Sequence, residues 1–147
     1  KSFSLRRNFN MKLGIVYWTS GGNTEDLANR LKETAQGKGI EVIMSDVDSA
    51  DKDSILGCDV VAFGSPAQGT EEISPEMEDL MDSINDEIKD KKVLLFGSYG
   101  WGGGEYMEAW QETIESKGAK LATAPVVCLE APDDEAFAKI DDALASL

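Results

Sequence analysis

Short β-rich apolar runs alternate along the chain with longer stretches of helical spacing, and this alternation narrows the fold more than any other feature. LGIVYW (13–18), DVVAFGS (59–65) and KVLLFGS (92–98) are continuous, the pattern of strands covered on both faces. IEVIMS (40–45) alternates, which suits an edge strand, and LATAPVVCL (121–129) reads as a last strand interrupted by Pro125. Leu27, Ala28, Leu31 and Ala35 share one stripe of a helix over 24–37, stopped by Gly37 and Gly39. After Pro75, Met77, Leu80, Met81, Ile84 and Ile88 follow helical spacing; residues 105–118 form a helix closed by Gly118, and 133–147 a last one. Strands alternating with helices require a parallel sheet covered on both faces through right-handed crossovers. The expectation is an α/β, three-layer doubly wound domain with a five-stranded parallel sheet in the order 2-1-3-4-5.

The chain has 147 residues, enough for one domain that buries about two-thirds of its unfolded surface. It carries 28 acidic and 14 basic residues and no His, a net charge of −14. Three of the cations (Lys1, Arg6, Arg7) fall in the first ten residues, which leaves −17 on residues 11–147. Such a surface repels nucleic acid and anionic membranes, so a protein partner has to offer a basic face. Acidity that only keeps the protein soluble accounts equally for most of these charges. Cys58 and Cys128 are too far apart for a C-x-x-C motif, and without His a zinc-type site has almost no ligands. Both lie in or beside apolar runs and read as buried reduced thiols, in line with a cytoplasmic location. No apolar stretch reaches membrane-spanning length. Residues 1–10, KSFSLRRNFN, lack the continuous hydrophobic segment of a secretory signal. They are expected to be an N-terminal extension, from an expression vector or an upstream translation start, ahead of a domain at 11–147.

In a doubly wound sheet the ligand lies beyond the carboxyl ends of the strands. There the first strand is followed by TSGGNT, the third by SPAQGTEE and the fourth by SYGWGGGE, three loops rich in Gly and hydroxyls that leave one edge and can converge. The first runs straight into a helix. Its N–H groups, with the hydroxyls of Thr19, Ser20 and Thr24 and the amide of Asn23, can surround a phosphate without any Lys or Arg. It is neither G-x-x-x-x-G-K-[ST] nor G-x-G-x-x-G. A helix N-cap would use some of the same residues. Trp101 sits in a Gly-rich loop with no obvious core to join, which suits stacking on a ring. Trp18, ending a strand, and Trp110, spaced with Met107 and Ile114, read as core.

Together YWTSGGNTE, GSPAQGTEE and FGSYGWGGGE resemble the flavodoxins, especially the short-chain type of anaerobic bacteria, from Met11 to near the C-terminus. The resemblance implies non-covalent flavin mononucleotide (FMN), with its phosphate on Thr19, Ser20, Gly21, Gly22, Asn23 and Thr24. The family usually carries Ser or Thr where this chain has Gly21, and a hydroxyl near the phosphate where it has Pro66. A second segment, Pro66, Ala67, Gln68, Gly69, Thr70 and Glu71, would face the inner side of the ring, with Gln68 where short-chain relatives often have Met. Gly69 and Thr70 match the peptide that reorients with flavin redox state, and Glu71 an acidic residue that accepts a hydrogen bond from the flavin. Trp101 would lie against the outer face of the ring, and Ser98, Tyr99, Gly100 and Gly102 would offer backbone groups to its pyrimidine edge.

The implied function is a low-potential one-electron carrier shuttling FMN between semiquinone and hydroquinone. Acidic residues near the ring (Glu71, Glu72, Glu105) would oppose an anionic reduced flavin and lower its potential. The implied partners are redox proteins with basic docking faces, such as reductases, oxidoreductases and hydrogenase-type donors or acceptors, met by a monomer. No acid–base set for a stand-alone enzyme is evident. A small FMN-dependent quinone or azo reductase of similar fold is the alternative, although such chains are usually longer. A phosphoacceptor receiver domain shares the sheet order, but the acids and Lys it needs are replaced by TSGG, SPAQ and LEAP.

Overall fold

The computed structural model describes residues 11–69, 71–100 and 102–147; the expectations for residues 1–10, Thr70 and Trp101 fall outside them. Strand β1 (Lys12–Tyr17) leads to helix α1 (Asn23–Gly37), β2 (Glu41–Asp46), a short helix α2 (Lys52–Leu56) and β3 (Val60–Gly64). Then come α3 (Pro75–Ile84), β4 (Lys92–Tyr99), α4 (Glu105–Ser116), β5 (Lys120–Leu121), β6 (Val126–Leu129) and α5 (Asp134–Ala145). All strand pairs are parallel, in the order β2-β1-β3-β4-β5, with β6 also on β4. The interruption at Pro125 is real. Lys92 and Val93 pair with Lys120 and Leu121, and Phe96 to Tyr99 pair with Val126 to Leu129, so one expected strand is present as two pieces.

The strands bury alternate residues on opposite faces. Leu13, Ile15 and Tyr17 of β1, with Leu94 and Phe96 of β4, meet Leu27 and Leu31 of α1 and Ile140 and Leu144 of α5. Val16, Phe63, Val93 and Leu95 meet Met77 and Met81 of α3 and Trp110 and Ile114 of α4. Each such side chain contributes about 1.5–3 kcal/mol when fully buried, which is why the continuous apolar runs define the sheet. On the surface Arg30 clamps α1 to α5. Its Nε and Nη2 donate to the two Asp141 oxygens at 3.0 and 2.7 Å, and its guanidinium lies 5.5 Å from the Phe137 ring. No helix among the described residues is long and apolar enough to cross a membrane.

Four details depart from expectation. Helix α2 and the 3-10 turn Val47–Ser49 occupy a crossover that shows no long apolar period. The third helix ends at Ile84, and Ile88 reaches the core only after a 3-10 turn at Asn85–Glu87, because that turn brings it back under the sheet. Trp18 stands past the end of β1, half-buried and in neither core cluster. Cys128 is only half-buried near the end of β6, unlike Cys58 beneath Gly14, and burial with the nearby Asp133 charge pushes its thiol up to about 11.

The tightest point of the sheet is Gly97. A Cβ there would collide with the carbonyl of Ser65 and the phenol of Tyr106. Gly97→Ala is expected to lower stability by about 1–3 kcal/mol and the melting temperature by roughly 2–10 °C. An unchanged melting temperature would contradict this packing.

Candidate functional site

Three loops leave the carboxyl ends of β1, β3 and β4 and enter α1, α3 and α4. In the first, the Trp18 N–H donates to the Gly64 carbonyl at 3.0 Å, tying the loop to the end of β3. Tyr17 Oη donates to Glu25 Oε2 at 2.9 Å. Burial first, then the hydrogen bond and charge of Glu25, push this phenol up to about 12. The turn itself is held by the Gly22 N–H donating to Thr19 Oγ1 at 2.9 Å, with Gly22 at φ 98° as the N-cap.

The helix starts differ in a way that bears on this edge. Ser74 caps α3 by accepting from the Met77 N–H, and Asp133 caps α5 by accepting from the Ala136 N–H. Helices α1 and α4 start on Gly22 and Gly104 with no side-chain cap of their own. Just ahead of α4 a carboxylate arrives from another loop, with Glu71 Oε1 accepting from the Gly103 and Gly104 N–H groups at 3.1 Å each. At α1 the corresponding Gly22 N–H goes to Thr19 Oγ1 within its own loop, and no side chain caps the first turn. Beside it Thr24 Oγ1 is buried with no hydrogen-bond partner among the described residues, while Ser20 and Gly21 face solvent. This start offers N–H groups at the positive end of a fifteen-residue helix, a setting for an anion.

The second and third loops are stitched together. The Ala67 N–H donates to the Ser98 carbonyl at 2.9 Å, and Tyr106 Oη, whose pKa burial raises, donates to the Ser65 carbonyl at 2.8 Å. Gln68 and Glu72 exchange backbone hydrogen bonds of 2.7 and 3.0 Å around a tight turn, with Gly69 at φ 53° and Glu71 at φ 57°. A left-handed conformation costs a non-glycine residue roughly 1–2 kcal/mol, and at Glu71 it aims the carboxylate at α4. Gly102, at φ 81°, passes so close to that carboxylate that any Cβ would overlap it. Glu71 Oε2 remains buried without a partner among the described residues. Glu105 lies alongside. Its own N–H and that of Gly103 hold its carboxyl below the ordinary range.

Of the expected site residues, Ala67, Gly69, Glu71 and Gly100 meet around one hollow of about 30 Å³, and Tyr99 and Gly102 adjoin it. Thr19, Ser20, Gly21, Gly22, Asn23 and Thr24 form the separate uncapped turn. Gln68 is half-buried, whereas Pro66 and Ser98 are buried beneath the loops. Gly103 and Gly104, the donors to Glu71, and Tyr106, the pin below them, were missed; only the extension of the glycine run to 104 hinted at them.

The unpartnered Thr24 hydroxyl, the unpartnered Glu71 oxygen, an uncapped helix start and two loops joined at one edge fit a ligand with an anionic end and a hydrogen-bond donor. The sequence profile of the family described as flavodoxin matches residues 15–142. The flavodoxin of Megasphaera elsdenii is 38% identical over 121 residues, 82% of this chain and 88% of that protein. The flavodoxin of Clostridium beijerinckii is 34% identical over the same coverage. The solution structure of two-electron reduced M. elsdenii flavodoxin superposes with a TM-score of 0.83 over 92% of this chain and 99% of the other, at 34% identity. The chain belongs to the flavodoxin family, the small FMN-binding electron carriers.

Proposed function

We propose that residues 19–24 hold the FMN phosphate, that the 66–71 and 98–102 segments hold its ring, and that the acidic carboxyl edge receives basic redox partners. The start of α1 carries this reading: no side chain caps its first turn, whereas Ser74 and Asp133 cap α3 and α5 and the Glu71 carboxylate occupies the approach to α4. Phosphate there would accept from N–H groups of the first turn and from hydroxyls, without a cation. Bound FMN supplies the one-electron chemistry. Glu71 is suited to two duties at once: Oε1 fixes α4 and the third loop, leaving Oε2 for a donor on the ring. Trp101 would stack on the ring's outer face, as in the family pattern. Gly69 supports the proposed peptide rotation, since its backbone is already at φ 53° and a Cβ there would meet open space.

The charge distribution supports both a low potential and a basic partner. No Lys or Arg occurs in residues 17–26, 65–79, 98–112 or 127–138, whereas Glu71, Glu72 and Glu105 flank the loops. Lysines gather at the opposite edge: Lys12, Lys92 and Lys120 open β1, β4 and β5, and Lys91 Nζ donates to the Leu56 and Cys58 carbonyls. The charged side chains that a reduced, anionic flavin would meet at the carboxyl edge are therefore mainly acidic, which lowers its potential.

The purified protein is expected to bind about one FMN per chain and to reduce in two resolved one-electron steps during anaerobic potentiometric titration. Thr24→Asp puts a carboxylate where the phosphate is to sit while remaining compatible with a helix start, and should weaken FMN binding by about tenfold or more. Equal affinity in that variant, or a single two-electron step, would overturn the reading. Electron transfer to a basic c-type cytochrome should slow by about tenfold or more as ionic strength rises from roughly 20 to 200 mM. A rate independent of salt would leave the acidity as a solubility feature.

A further inference from the structure

A second cavity, of about 240 Å³, lies between α3 and α4 and touches the flavin loops only through Glu71 and its neighbours. Its floor is apolar: Met81, Trp110 and Ile114 are buried and Ile73 is half-buried. Its rim carries Glu72, Glu78 and Asp82, all exposed, together with Glu71, and no Lys or Arg lines it. On the opposite face of the sheet α1 and α5 are clamped by Arg30 and Asp141, but α3 and α4 have no such bridge among the described residues and stand apart over small side chains such as Ala109.

The lining restricts what can fill this space. A neutral apolar group would strip water from the carboxylates without compensation. A metal ion would leave the floor unused, and no three carboxylates among the described residues are placed to hold one. The volume falls below the roughly 300–1,000 Å³ of small-molecule pockets. A cation on a hydrocarbon stem satisfies both surfaces. Arginine suits it better than lysine, because Glu78 and Asp82 lie four residues apart on one helix face and a planar fork can address both.

We propose that the α3–α4 cavity is a docking socket for an arginine side chain of a basic redox partner. This rests on the reading of the carboxyl edge as the partner-facing surface. An arginine seated there would place the partner beside Glu71, the residue that the cavity shares with the flavin loops. Stem and guanidinium would be held independently of the flavin, so the socket would fix orientation while the diffuse acidic field guides approach.

The test is a titration of FMN-loaded, ¹⁵N-labelled protein with N-acetyl-Leu-Arg-Leu-amide and with its citrulline counterpart, which keeps the shape and removes the charge. The Trp110 indole N–H resonance, assigned with Trp110→Phe, should shift and saturate with the arginine peptide. Affinity should fall by about fivefold with citrulline, and by a similar factor in Glu78→Gln/Asp82→Asn. Ala109→Phe, which grows from an exposed position into the cavity, should abolish the shift while leaving the flavin absorbance unchanged. Absence of a saturable shift with the arginine peptide, or equal affinity for the citrulline peptide, overturns the proposal. Failure of the parent protein to retain FMN would count against the flavin site instead, because the peptide shift can be read in flavin-free protein as well.

Discussion

Because all strands of the sheet run in one direction, every strand ends, and every long helix begins, at the same edge. That one constraint determines the rest. The partial positive charge of the helix starts is concentrated there, together with all the loops that follow strands. The edge strands and the two helical layers exist to make the arrangement stable, through apolar side chains buried alternately on the two faces. The opposite edge receives helix carboxyl ends and carries the lysines that open β1, β4 and β5. The molecule is thereby electrostatically polarised along its strands, and the polarity follows from the topology together with where the cations are placed.

At the loop edge two opposing electrostatic demands meet. The proposed site is to bind an anion, yet the surrounding side chains are acidic. In the proposed site fixed backbone N–H groups would resolve the conflict, attracting a phosphate at hydrogen-bond range while carboxylates farther away act through water and salt. Glu71 shows the same economy at the other end of the site. Its left-handed backbone turns the carboxylate toward the start of α4, where one oxygen accepts from the Gly103 and Gly104 N–H groups and the other has no partner among the described residues. These bonds between loops make the second and third loops one unit.

Strand positions, sheet order and the convergence of loops could be read directly from the residues, because continuous apolar runs and Gly-rich turns are local signals. Pro125 announced a broken strand and the structure has one. What escaped reading depends on contacts between distant segments. Nothing local in Trp18 says that β1 ends before it, and the period through Ile88 does not reveal that a 3-10 turn intervenes. Pro66 and Ser98 belong to the expected site by sequence, yet pairing between the ends of β3 and β4 carries both below the surface. The bond from Glu71 to Gly103 and Gly104 spans more than thirty residues and rests on a backbone conformation that Glu rarely adopts, so no pattern around Glu71 could have indicated it.

The account depends most on the claim that the uncapped start of α1 grips a phosphate without help from any cation. Comparing the affinities of FMN and riboflavin for the flavin-free protein tests it directly, since the two ligands share a ring and differ at that phosphate. Several charge-assisted hydrogen bonds at about 1.5–3 kcal/mol each predict FMN binding tighter by about 100-fold or more. Equal affinity for the two flavins would contradict the claim.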